Sequence, residues 1–112
     1  MRLEQSLEIT LNSIDNLPWD HQVFITDFSL SNMGQLVLVI DDDEEAERDL
    51  NDDPVFATSR GFRSFLSVKQ LQEIKENLVN SEYDFSVEKF VEAILYYHKY
   101  DAFIRQWQLT KV

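Results

Sequence analysis

Leu36-Val37-Leu38-Val39-Ile40 is the longest apolar run in the chain, and no polar residue alternates with it. Successive side chains of a strand point to opposite faces, so a strand made of this run needs cover on both of them. That cover has to come from a chain of 112 residues, which has room for one domain, residues 1–112. With 44% hydrophobic and 12% aromatic residues the composition is that of a packed protein. A domain of this size buries roughly two-thirds of its unfolded surface and needs no covalent staple. Cysteine is absent, which excludes a disulfide framework, a thiol nucleophile and a thiolate metal site.

The pattern on either side of the run gives the remaining elements. Leu3, Leu7, Leu11 and Ile14 recur at helical spacing and predict an amphipathic first helix that ends before Pro18. Val23 to Phe28 reads as a strand, and Ser29 to Gln35, with Gly34, as the turn after it. Asp52 or Asp53 is expected to cap a short helix with Pro54 in its first position and Gly61 beyond its end. Phe62 to Leu66 reads as a strand. Ser67-Val68-Lys69-Gln70 has the spacing of a capping box, followed by the stripe Val68, Leu71, Ile74 and Leu78. A further helix starts at Ser86, with Val87, Phe90, Val91, Ile94 and Leu95 on its apolar face, and Ala102 to Leu109 alternates as a final strand. The fold expected is α+β, with α/β as the alternative: a sheet of about four strands packed with three to four helices.

Charge is unevenly placed. Residues 1–53 hold 14 acids and 2 bases, whereas residues 54–112 hold 7 acids and 8 bases. Nine of the 13 residues in the loop 41–53 are acidic, and the loop leaves directly from the end of the apolar run. A formal charge of −11 argues against direct binding of nucleic acid and against an anionic membrane surface, both of which require positive charge. No apolar stretch is long enough to cross a bilayer and the N-terminus carries acids where a signal peptide is apolar, so a cytoplasmic location is expected.

Few residues promise chemistry. Asp41 and Asp43 at the end of a buried strand resemble the Asp-x-Asp-x-Thr of haloacid-dehalogenase-type phosphatases, but Glu45 replaces the threonine. As a calcium loop the run lacks the sixth-position glycine and the twelfth-position glutamate, where Ala46 and Asp52 stand. His21 follows Trp19-Asp20 without a nucleophile nearby, and His98 is expected to be packed and hydrogen-bonded. Phe90, Ile94 and Phe103 are assigned to the core, and at least one of the adjacent Tyr96 and Tyr97 to the surface. With two glycines no nucleotide-binding loop can be assembled. No catalytic residue, metal ligand or cofactor is assigned. A metal-dependent phosphohydrolase or calcium-binding module using Asp41 and Asp43 is the alternative reading.

Leu17-Pro18-Trp19 after the first helix, Leu36 to Asp43, Phe65-Leu66-Ser67-Val68 opening a helix, and Tyr96-Tyr97 with Asp101-Ala102-Phe103-Ile104 together carry a resemblance. The chain resembles small acidic bacterial immunity proteins of contact-dependent inhibition and polymorphic toxin systems. The resemblance implies a stoichiometric inhibitor that forms a 1:1 complex with a toxin domain, often a basic nuclease, and blocks its active site. The charge pattern agrees, because a cleft that holds nucleic acid is basic. Asp41, Asp42, Asp43, Glu44, Glu45, Glu47 and Asp49 are then the expected partners of toxin Lys and Arg, with Trp19, His21 or an exposed tyrosine as an anchor.

Overall fold

The computed structural model describes residues 2–81 and 84–104. Strand β1 (Arg2–Ser6) runs into helix α1 (Leu7–Asn12) and a 3₁₀ turn, Ile14–Asn16. Strands β2 (Gln22–Ile25) and β3 (Leu36–Ile40) follow, then a second 3₁₀ turn, Asp42–Glu44. Helix α2 (Val55–Thr58), strand β4 (Arg63–Ser67) and helices α3 (Val68–Val79) and α4 (Val87–Tyr100) complete the described chain.

The strands form one sheet in the order β1-β3-β2-β4, with every neighbouring pair antiparallel. The fold is therefore α+β, not α/β. β3 is an inner strand, and its alternation sorts the run onto two cores. Val37 and Val39, with Val23 and Ile25 of β2, join the larger core beneath α1, α3 and α4. Leu38 and Ile40, with Phe24, face a smaller core closed by Ala57 of α2 and by Phe62. Both faces of β3 are covered, as an uninterrupted apolar strand requires. Continuous apolar strands are more usual in parallel sheets; here the second layer is supplied by a single short helix.

Three expectations need correction. Leu3 belongs to β1, and helix begins only at Leu7 because the hydroxyl of Ser6 accepts from the amide of Ile9 at 3.2 Å and caps it there. Leu3 pairs with Val39 across the sheet and packs on the same core as Leu7 and Leu11, so strand and helix satisfy the same leucine spacing. Neither Asp52 nor Asp53 caps α2. Pro54 itself occupies the cap position, and Asp52 adopts a left-handed conformation with φ of 63°. Of the expected final strand, Ala102, Phe103 and Ile104 are not in a strand, and residues 105–109 lie outside the described residues. The fourth strand is β1, at the other end of the chain.

The aromatic assignments also divide. Phe90 and Ile94 are fully buried, but Phe103 is 41% exposed. Tyr96 and Tyr97 are both half-buried on the flanks of α4, and Tyr100 is the exposed ring of the group. His98 is exposed, with its ring 4.8 Å from that of Phe65 and 5.6 Å from that of Phe28.

The two long helices start as their caps dictate. Ser67 accepts from the amide of Gln70 at 3.0 Å, and the Gln70 side chain accepts from the amide of Ser67 at 2.9 Å. Val68, Leu71, Ile74 and Leu78 are all buried. Ser86 caps α4 through the amide of Lys89. The remaining orphan amides at the start of α3 reach across the fold: Val68 donates to the carbonyl of His21 and Lys69 to that of Trp19. Ser67→Ala removes the cap and is expected to lower stability by about 1 kcal/mol in urea unfolding, without shifting the midpoint dependence on salt.

Candidate functional site

A loop with nine carboxylates among 13 residues is expected to repel itself into solvent over a screening length of about 8 Å. It does not. Arg48, the one base within it, turns its guanidinium inward and donates to the carboxylate of Asp42 at 2.8 Å and to the carbonyls of Glu45 and Asp52, both at 3.1 Å. It also donates to the carbonyl of Asp42. The planar five-donor fork of arginine makes this gathering possible, and a lysine has no equivalent. The backbone of Arg48 bridges to Pro54, which closes the loop on the start of α2.

Several acids are consumed in this folding. Asp41 caps the 3₁₀ turn by accepting from the amide of Asp43 at 3.1 Å. Asp49 accepts from the amides of Asn51 and Asp53 at 2.9 and 3.0 Å. The amide of Asp53, foremost, holds the Asp49 carboxyl below the ordinary carboxylate range. Glu45 takes a two-pronged bond from Arg2, at 3.0 and 2.9 Å, which likewise lowers its carboxyl and raises the Arg2 guanidinium. Arg2 and Arg60 both stack on the ring of Phe56, at 3.8 and 4.0 Å from its centre.

The expected partner-binding residues consequently part company. Asp42 and Asp43 meet Trp19 and His21 along a groove of about 520 Å³. Glu44, Glu45 and Glu47 line a second groove with Arg2 and Arg60. Asp49 lies in a third, with Asp53 and Arg63. The acidic run is thus three small surfaces instead of one face, and the first alone combines carboxylates with an exposed large aromatic.

That first groove is firmly built. The segment from Leu17 to His21 is pinned to α3 by the amides of Val68 and Lys69, and by the Gln72 side chain, which donates to the carbonyls of Ile14 and Leu17 at 3.0 Å each. Trp19 projects from this fixed segment with 64% of its surface exposed. Asp20, beside it, has a carboxylate oxygen 2.9 Å from Nδ1 of His21, whose ring is buried. Sequence reasoning weighs Asp20 only as an acid–base partner of His21, and it assigns Arg48 no role. The isolation of one arginine among nine acids was the available sign of the second.

Asp20, His21 and Asp41 each offer a donor atom, and the three atoms lie within 4.8 Å of one another. Among the described residues this is the one grouping with metal-ligand character, and it contains Asp41 but not Asp43. The calcium-loop reading meets a different obstacle: the loop carbonyls of Asp42, Glu45 and Asp52 already converge on a guanidinium. No helix among the described residues is long and apolar enough to cross a membrane.

Arg48→Ala is expected to cost about 1–3 kcal/mol in urea unfolding, because hydrogen bonds to a charged group are lost and carboxylates are left facing each other. Arg48→Lys should recover less than half of that. The acid limb of stability follows from the lowered carboxyls of Asp49 and Glu45. A carboxyl lowered in the folded state stabilises it above the unfolded value of about 4 and loses that contribution as pH falls through the folded value. Unfolding monitored from pH 6 to pH 2 should show stability falling on this limb, and Asp49→Ala should fall less steeply than the wild type.

None of the curated proteins and none of the solved structures matches this chain. A family match covers nearly all of it, from the middle of β1 past the end of α4. The chain belongs to the family described as a domain of unknown function (DUF7716), which it matches over residues 4–106.

Proposed function

We propose that this chain is an immunity protein, without enzymatic activity, that binds a basic, nuclease-like toxin domain in a 1:1 complex and occludes its active site. The observation that carries the reading is Trp19, 64% exposed on a segment fixed to α3 and bordered by the carboxylates of Asp20, Asp42 and Asp43. Tryptophan is among the residue types enriched as anchors of protein interfaces. Carboxylates around it suit the Lys and Arg side chains with which a nuclease holds its substrate. The resemblance to immunity proteins supplies the class of partner.

The two kinds of group have separate tasks. The charge of residues 1–53 draws a basic partner in and orients it, which acts on the association rate and is screened by salt. Burial of the Trp19 ring acts on the dissociation rate. Because Arg48 already neutralises Asp42 in part and Asp20 lies 2.9 Å from Nδ1 of His21, Asp43 is the carboxylate of this groove with most to offer a partner.

The direct test is to find whether the neighbouring reading frame encodes a protein with a basic C-terminal domain, as the proposal expects, and to express that domain with and without this chain. Rescue of growth and a 1:1 complex on gel filtration are the expected results; undiminished toxicity with no complex rejects the proposal. With the complex in hand, Asp43→Asn should slow association several-fold at low salt and leave it nearly unchanged at high salt. Trp19→Ala should accelerate dissociation about 10-fold or more.

A further inference from the structure

The strand pairing that builds the first groove also brings three metal-ligating side chains together. Extending the β2–β3 register one step beyond Gln22↔Ile40 sets His21 opposite Asp41, and Asp20 precedes His21 in the chain. We infer that Asp20, His21 and Asp41 form a site for one divalent transition-metal ion, of which Zn²⁺ is the representative. The site shares Asp20 and His21 with the groove of the proposed partner surface, but it does not rest on that reading and is tested on the purified chain alone.

The donor set selects the ion. One imidazole nitrogen with two carboxylates suits zinc and its neighbours, whereas calcium and magnesium are held by oxygen alone. In a tetrahedral zinc shell with bonds of about 2.0–2.2 Å the donors stand about 3.4 Å apart. Asp20 Oδ1 and His21 Nδ1 stand 2.9 Å apart, and one donor atom from each of the three residues lies within 4.8 Å of the others, so small carboxylate movements reach that spacing. Asp20 is free to make them, being 54% exposed. Asp41 has spent Oδ1 on the amide of Asp43 and keeps Oδ2.

His21 is the fixed member. Its side chain is 8% exposed, and its carbonyl is tied to Val68 at 2.9 Å. Among the described residues its Nε2 is buried without a hydrogen-bond partner, so the polar return on burying this ring comes through Nδ1, on the carboxylate side. An ion on Nδ1 leaves the ring proton on that partnerless Nε2, and the Lys69 ammonium lines the same groove. Both oppose binding, which places the expected affinity in the micromolar range.

Titration calorimetry with Zn²⁺ should give one saturable site per chain, and Ca²⁺ should bind at least 10-fold more weakly. Asp41→Asn retains a capping oxygen and should weaken zinc 10-fold or more, as should Asp20→Asn at the surface, where folding is not at stake. His21→Asn should abolish saturable binding if circular dichroism shows it folded; if it is not folded, the two aspartate variants decide. Glu47→Gln removes an equal charge from the same loop and should leave the affinity within 2-fold. Absence of saturable zinc binding, calcium binding as tight as zinc, wild-type affinity in both aspartate variants, or an equal loss in Glu47→Gln overturns the assignment.

Discussion

The requirement that β3 be covered on both faces governs the architecture. Val37 and Val39 need one layer and Leu38 and Ile40 another. The three larger helical segments supply the first. The second has to be built by chain that leaves β3 and returns on the opposite side of the sheet before β4. α2 is that return, with Ala57 fully buried against Leu38, Ile40 and Phe24. The acidic loop is the crossing between β3 and α2, so its path is imposed by the core and is not free to be an arbitrary solvated excursion.

Electrostatics then has to accommodate a path that packing demands. Nine carboxylates on a constrained crossing would oppose folding unless some were neutralised or hydrogen-bonded. Arg48 draws Asp42 and three loop carbonyls inward, Arg2 reaches from the edge strand to Glu45, and Asp49 spends its carboxylate on two backbone amides. The residual negative charge is what the loop displays outward. The surface divides accordingly: Asp42, Glu45 and Asp49, each held by its own internal bonds, line three different grooves.

What could be read from the sequence was local or periodic. The Ser67–Gln70 capping box, the buried stripe of α3, the Ser86 cap and the two-sided burial of β3 all follow from residues within a turn or two of one another. Leu3 fits a helical pattern because a spacing of four residues satisfies a helix, and a strand leading into a helix places the same leucines on the same core. The antiparallel pairing was invisible, since a continuous apolar run usually marks a parallel strand. The organising contacts of the candidate site are of the same invisible kind: Arg2 lies 43 residues from Glu45, and the Gln72 side chain reaches back 55 residues to the Leu17 carbonyl. Trp19 and His21 were legible as candidates by residue type, and their neighbourhood with Asp42 and Asp43 was not.

The rigidity of the Leu17–His21 segment bears on how the groove would work under the proposed reading. A tryptophan on a mobile loop loses conformational freedom on binding, and that loss offsets part of what its burial gains. Here the ordering has already occurred in folding, because α3 needs partners for its first amides and finds them in the carbonyls of Trp19 and His21. The same two hydrogen bonds thus end a helix's unsatisfied donors and fix the backbone of a surface anchor. Cap and anchor are one device, and an exposed aromatic held in this way presents its ring to a partner with little left to order.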